Sequence, residues 1–220
     1  MSGADPFDAG AARYDAWYDS PRGRCLFDDE LACLAPLVAS GSPRLEVGVG
    51  TGRFAAALGV ECGIDVALGA LALASRRGVR VVRGEAEHLP FGAGRFAAVL
   101  FVVTLCFVAE PARALAEARR VLAEGGRVVI GVVPRDSELG ERYEQLARAG
   151  HDYYSRARFL RAAQHVSLLE AAGFDVVAAR SALVEGGDPS SPAREGLVPG
   201  AGFVALAGVA RRRGGTPRGE

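Results

Sequence analysis

Lysine is absent from this chain of 220 residues, and arginine alone balances the acids, with 26 basic against 26 acidic side chains. Zero net charge removes the basic excess that phosphate neutralisation requires, so no nucleic-acid partner is expected. The bias toward Ala, Arg and Gly reflects genomic composition rather than function. Cysteine and histidine are sparse, at four and three. Cys25, Cys33, Cys62 and Cys106 form no CxxC pair, and no histidine stands at metal-ligand spacing from one. Reduced thiols and no metal are therefore expected. The N-terminal MSGADPFDAG lacks the basic region and apolar run of a signal peptide. The longest apolar run, Phe96 to Ala109, falls short of the roughly 20 residues of a membrane span. The expectation is a cytoplasmic protein with no membrane partner, a monomer or weak homodimer.

What the chain does have is apolar content: 50% of its residues are hydrophobic, enough for one domain of ordinary size. Short apolar runs alternate with helical periodicity. Strands are predicted at Arg44 to Val47, Glu61 to Ile64, Val79 to Val82 and Phe96 to Val103. Others follow at Arg127 to Val133, Phe174 to Val184 and Ala201 to Ala210. The unbroken apolar run from Phe96 marks a strand covered on both faces, as in parallel sheets. Helices are predicted over Thr51 to Leu58, Leu68 to Arg77, from Pro111 until Gly125 and Gly126, around Glu141 to Arg148, and over Arg158 to Ala172. Pro111 suits a first helical position, where its missing N–H costs nothing. This alternation predicts an α/β fold, a doubly wound, mostly parallel sheet with right-handed crossovers. Only the loop EGGDPSSPAREGLVPG separates the last two strands, so the final strand should run antiparallel. Residues 1–40 read as mostly helical, packed beside or over the sheet edge. Residues 41–210 form the main domain and 211–220 a disordered tail.

LEVGVGTGRF, Leu45 to Phe54, places Gly48, Gly50 and Gly52 between a strand and a helix. In open α/β sheets ligands bind at the carboxyl ends of the strands, near the switch point. The dinucleotide fingerprint G-x-G-x-x-G is not met, because the third glycine comes one residue early. The phosphate-binding G-x-x-x-x-G-K-[ST] pattern is absent as well. Three carboxylates surround the loop: Glu46 before it, Asp65 after the second strand and Glu85 after the third. They suit a ligand with hydroxyls, an exocyclic amine and positive charge, and oppose a pyrophosphate.

In this order, LEVGVGTG, GIDVA, GEAEHLPF, FAAVLFVVTLCFVAEP and ARRVLAEGGRVVIG resemble the class I S-adenosylmethionine-dependent methyltransferases. The resemblance spans about Pro43 to Val133, with weaker support from EAAGF and the two closing strands. It implies a Rossmann-like, seven-stranded sheet with a reversed last strand, and S-adenosyl-L-methionine as cofactor. By position, Gly48, Gly50 and Gly52 would let the backbone approach the methionyl part, with Glu46 beside them. Asp65 would accept hydrogen bonds from both ribose hydroxyls. Glu85 and Ala86 would contact the adenine edge. Phe101 and Val102 would border the sulfonium and the substrate. One position departs from the family: the acid that often follows the Phe opening the fourth strand is Ala97 here.

The implied activity is methyl transfer to a small-molecule acceptor. The alternative is a catalytically inactive S-adenosylmethionine-binding regulatory protein, while the glycine spacing disfavours a nicotinamide oxidoreductase. Methyl transfer needs little side-chain chemistry, because alignment alone can lower a barrier by roughly 7–11 kcal/mol. No catalytic base is evident. His151, in GHDYY beyond the fifth strand, is the candidate, beside Tyr153, Tyr154 and Arg158 as substrate contacts. His88 belongs near the cofactor rim, and His165 at the surface of its helix. Tyr14, Trp17 and Tyr18 share one helix face by their i, i+3, i+4 spacing. That face is expected to close over the cleft, with Tyr14 or Tyr18 lining it, as a lid that orders on cofactor binding.

Overall fold

The computed structural model describes residues 6–183 and 193–211. Three helices open the chain: α1 (Pro6–Ala9), α2 (Ala11–Trp17) and α3 (Pro21–Leu34). The regular alternation then begins with β1 (Arg44–Val47), α4 (Arg53–Leu58), β2 (Cys62–Asp65), α5 (Leu68–Arg76) and β3 (Arg80–Arg83). It continues with β4 (Phe96–Val102), α6 (Pro111–Val121) and β5 (Leu122–Val132). The chain closes with α7 (Glu138–Arg148), α8 (Ala162–Ala171), β6 (Phe174–Ala182), β7 (Arg194–Glu195) and β8 (Phe203–Ala210).

The sheet has eight strands in the order β3-β2-β1-β4-β5-β8-β6-β7. Strands β1 to β5 pair in parallel. β8 inserts between β5 and β6 and runs antiparallel to both, as the short connection required. The strand order reverses between β1 and β4, so the crevice at their carboxyl ends is the switch point. The eighth strand, β7, lies in the segment read as loop. It pairs only Arg180 with Glu195 and Ser181 with Arg194, too short to leave a periodic signal.

Successive β4 residues face opposite ways. Leu100 and Val102 pack with Leu34, Phe54, Leu58 and Leu71 from α3, α4 and α5. Val99 and Phe101 pack with Leu115, Ala118 and Leu169 from α6 and α8. α3 therefore lies on a sheet face against β5, β6 and β8, not at the edge, and belongs to the core. Only α1 and α2 remain as candidates for a lid.

Three boundaries moved. The helix expected from Arg158 starts at Ala162, because Arg158 to Arg161 run extended; the Arg158 N–H donates to the Cys106 carbonyl at 2.7 Å. Gln164 accepts from the Arg161 N–H at 2.8 Å and fixes that start. β5 begins directly after α6, with Gly125 and Gly126 inside a bulge rather than ending the helix. Ala97 is half-buried and its methyl faces Gly41, where an added Cβ would lie 2.7 Å away. The expected tail lies outside the described residues except for Arg211, whose Nε donates to Asp175 Oδ1 at 2.7 Å.

Candidate active site

The glycine loop is held from beneath. The N–H groups of Gly48 and Val49 donate to the Ile64 carbonyl at 2.8 and 3.0 Å, tying the end of β1 to β2. The Gly50 N–H donates to Asp65 Oδ2 at 2.8 Å, and the other carboxylate oxygen accepts from the Ala67 N–H at 2.9 Å. Gly48, Gly50 and Gly52 all have positive φ, at 72°, 52° and 79°. Two of them are also crowded. A Cβ on Gly52 would lie 2.8 Å from the Ala74 backbone, and one on Gly48 would collide with Thr104. A Cβ on Gly50 would meet nothing within 4 Å, so the loop faces open space there.

Below the loop, Glu46 is 2% exposed and its Oε2 has no hydrogen-bond partner. Burial, and then the charge of Asp65, hold its carboxyl well above the ordinary range. Val66, next to Asp65, is an exposed apolar side chain at the rim. Glu85 is exposed there too, 3.7 Å from His88, while Ala86 is half-buried against the core.

The residue directly after β4 has a backbone unusual for its type: Val103 has φ of 51°, rarely adopted by a β-branched side chain. The turn that follows joins two parts of the site. Thr104 Oγ1 donates to the Gly48 carbonyl at 3.3 Å, while the Phe107 ring lies 5.0 Å from Phe7. Phe101 does not border this cleft. It is fully buried on the α6 and α8 face, and this corrects the expectation. Val102 is buried on the opposite face, at 6% exposure, so Val103 and Thr104 present the strand end. His165 is also corrected. It is 3% exposed and lines a small pocket with Val103, Thr104 and Cys106. Burial lowers its pKa, and Nδ1 lies 3.1 Å from the Arg161 carbonyl.

A side chain that the sequence reading missed fixes α2 over this region. Asp15 accepts from Thr51 Oγ1 at 2.7 Å, from Arg53 Nε at 2.8 Å and from Arg77 at 2.8 Å. Thr51 lies within the glycine loop itself. Burial opposes ionisation of Asp15, but the bonds from Arg53, Thr51 and Arg77 outweigh it and lower its pKa. Asp8 of α1 accepts from the Gly69 N–H at the start of the same helix α5 that Arg77 caps. The N-terminal segment is thus tied along α5, while its Phe7 and Tyr14 rings reach Phe107 and Tyr153.

Tyr14 and Tyr18 sit on the underside of this span. Tyr18 is buried, whereas the Tyr14 ring is 43% exposed but its hydroxyl lies 3.1 Å from that of Tyr18. Burial raises the pKa of both. Trp17 is exposed and contacts Tyr18 edge-on. His151, Tyr153 and Tyr154 come together in one group, with His151 4.8 Å from the Tyr154 ring. Arg158 is exposed.

The comparisons agree with this geometry. A family described as a methyltransferase domain matches residues 45–130. An uncharacterised protein of Mycobacterium tuberculosis is 46% identical over 207 residues, covering 90% of this chain and 72% of that protein. A demethylmenaquinone methyltransferase of Thermobifida fusca is 48% identical over 73 residues, 30% of this chain and 31% of that one. A solved structure from Thermotoga maritima is described as a SAM-dependent methyltransferase and possible histamine N-methyltransferase. It superposes with a TM-score of 0.84 at 35% identity, covering 93% of this chain and 98% of that one. Fold, glycine loop and relatives converge: the chain belongs to the class I S-adenosylmethionine-dependent methyltransferases, with S-adenosylmethionine as its cofactor.

Proposed function

We propose that this chain methylates a small-molecule acceptor held between the end of β4 and the underside of α2. The observation that carries the reading is the buried Glu46 carboxyl, whose Oε2 has no partner, beneath an open glycine loop. A buried oxygen without a partner is costly, and an ammonium group arriving over the loop would satisfy it and favour ionisation of the acid. The remaining residues fit the same cofactor. Each Asp65 oxygen accepts one backbone bond and keeps a lone pair, which matches two neighbouring ribose hydroxyls. Val66 offers an apolar surface for a flat base, with Glu85 and Ala86 at its edge. Bound there, S-adenosylmethionine supplies an electrophilic methyl group on a sulfonium.

The chain's own part is alignment and exclusion of water. The glycine loop and Asp65 fix one partner. The β4 turn at Val103 and Thr104 sets the floor. The Asp15 clamp holds α2 and its aromatic face above. Neutral overall charge and the activities described for two similar proteins, a demethylmenaquinone methyltransferase and a possible histamine N-methyltransferase, support a small acceptor. Calorimetry with S-adenosylhomocysteine tests the reading. Saturable binding is expected, and no heat up to millimolar ligand would refute it.

A further inference from the structure

All five tyrosines of the chain meet in one place. The Tyr14 and Tyr18 rings are 5.5 Å apart, and Tyr14 lies 6.1 Å from Tyr153. His151 bridges Tyr153 and Tyr154 at 5.9 and 4.8 Å. Tyr143 stacks on Tyr154 at 4.3 Å with planes 16° apart. They come from α2, α7 and the turn after α7, so no local periodicity groups them.

A second buried acid, Glu30 of α3, stands beside this group: its helix neighbours Phe27 and Leu31 pack in one cluster with Tyr18 and Tyr143. It is 5% exposed, and its Oε2 has no partner. Its charge bears on Tyr14, Tyr18 and Tyr143. A second orphan lies in the same cluster, because the Tyr153 hydroxyl is buried and also without a partner. No arginine answers Glu30 among the described residues. Arg22 acts on Tyr143, Arg142 on Tyr154 and Arg180 on Cys33. Cys106, in the turn after β4, acts on both Tyr14 and Tyr154, which places the cluster beside the proposed transfer site.

An orphaned buried carboxyl whose charge reaches three tyrosines of an aromatic cluster calls for a cation. Aromatic rings attract an ammonium group, and the carboxylate completes its charge. We propose that this cluster recognises the methyl acceptor as an organic amine, its ammonium group against Glu30 and enclosed by the tyrosine rings. The proposal rests on the methyltransferase reading and names the substrate class of that same site.

Recognition moves a proton. Burial, and then Asp29, push the Glu30 carboxyl up to about 8, so at pH 7 it is largely neutral in the unliganded protein. Pairing with an ammonium ion ionises it. Burial raises the Tyr14, Tyr18, Tyr143 and Tyr154 hydroxyls, and the Cys33 and Cys106 thiols stand near 12, so these do not release the proton; the His151 imidazole also faces the cluster, and Glu30→Gln separates its contribution from that of the carboxyl.

The test is calorimetry on the full chain saturated with S-adenosylhomocysteine, at pH 7, in phosphate and in MOPS, neither of which carries a primary ammonium group. Their different ionisation heats count the protons released. The probes are methylamine, 2-phenylethylamine and spermidine, with 2-phenylethanol as a neutral counterpart. At least one amine should bind ten times or more tighter than the alcohol, releasing about one proton. Glu30→Gln should abolish that release and weaken the amine tenfold or more. It should leave S-adenosylhomocysteine affinity within twofold. Absence of binding by all three amines, equal binding of the alcohol, or proton release retained in Glu30→Gln would overturn the proposal. If S-adenosylhomocysteine itself fails to bind, the methyltransferase reading falls instead, and the same titrations without it judge the amine site by the same criteria.

Discussion

Glu30→Gln also has a consequence for stability that needs no ligand. The side chain is buried without a partner for Oε2, and its carboxyl is raised from 4.5 to about 8. Between those two values the native protein holds a proton that the unfolded chain has released. Stability therefore falls as pH rises through this window, by about 1.4 kcal/mol per pH unit. The accumulated loss is about 3 kcal/mol at pH 7 and about 5 kcal/mol once pH passes the folded value. Glutamine keeps the shape and cannot ionise, so the variant escapes the loss.

Guanidinium unfolding of the apo protein at pH 4, 7 and 9 would measure this difference. The variant should match the parent at pH 4, exceed it by about 3 kcal/mol at pH 7, and exceed it further at pH 9. A difference that stays constant with pH would show that Glu30 titrates alike in both states and refute the reasoning. So would a variant less stable than the parent at pH 9. An amine that binds Glu30 should narrow the gap at pH 7, because it stabilises only the parent.

Other expected outcomes are as direct. Asp65→Ala should weaken S-adenosylhomocysteine by about 1–3 kcal/mol in calorimetry, the scale of lost bonds to a charged acceptor; unchanged affinity would remove Asp65 from the site. Asp15→Ala should cost about 2–3 kcal/mol in unfolding, since Arg53 and Arg77 lose their shared partner. It should also speed hydrogen exchange over residues 7–20, and equal protection would mean that the clamp does not hold α2. Gly50→Ala, strained by its φ of 52° but meeting open space, should cost about 1 kcal/mol in unfolding and weaken S-adenosylhomocysteine in calorimetry. Gly52→Ala should cut the melting temperature, because its methyl would meet the Ala74 backbone at 2.8 Å.

Signals within one stretch of chain were readable. The apolar run at β4 and the strand-to-helix glycine turn followed from residue type and order. So did the reversed β8, from the length of its connection. Contacts between distant segments were not. Phe101 was placed at the cleft because it ends a strand, but the two-residue period sends its ring to the α6 and α8 face. His165 stands among Gln164 and Arg161 in sequence, yet its own position faces the core. Asp15 gave no sign of binding Arg53 and Arg77, which lie 38 and 62 residues away. Glu30 was the one missed residue with a local signal. It shares a face with Cys33 and Leu34 at i, i+3 and i+4, and an acid on an apolar helix face is rare unless something needs it.

The two halves of the site also differ in where their residues come from. Every group assigned to the cofactor lies within residues 45–130, the segment that matches the family. Tyr14, Tyr18 and Glu30 precede that segment, and Tyr143, Tyr153 and Tyr154 follow it. A sheet that carries the glycine loop and its acids can thus keep one cofactor geometry while the flanking helices change. Asp15 joins the halves, since it stands between the acceptor-side tyrosines in sequence and binds Thr51 of the glycine loop. On the proposed reading the acceptor is set by α2, α3 and the segment around α7. Exchanging those segments between relatives should move acceptor preference with them and leave S-adenosylhomocysteine affinity in place. Competition calorimetry on such chimaeras would check it, and acceptor preference that stays with residues 45–130 would refute it.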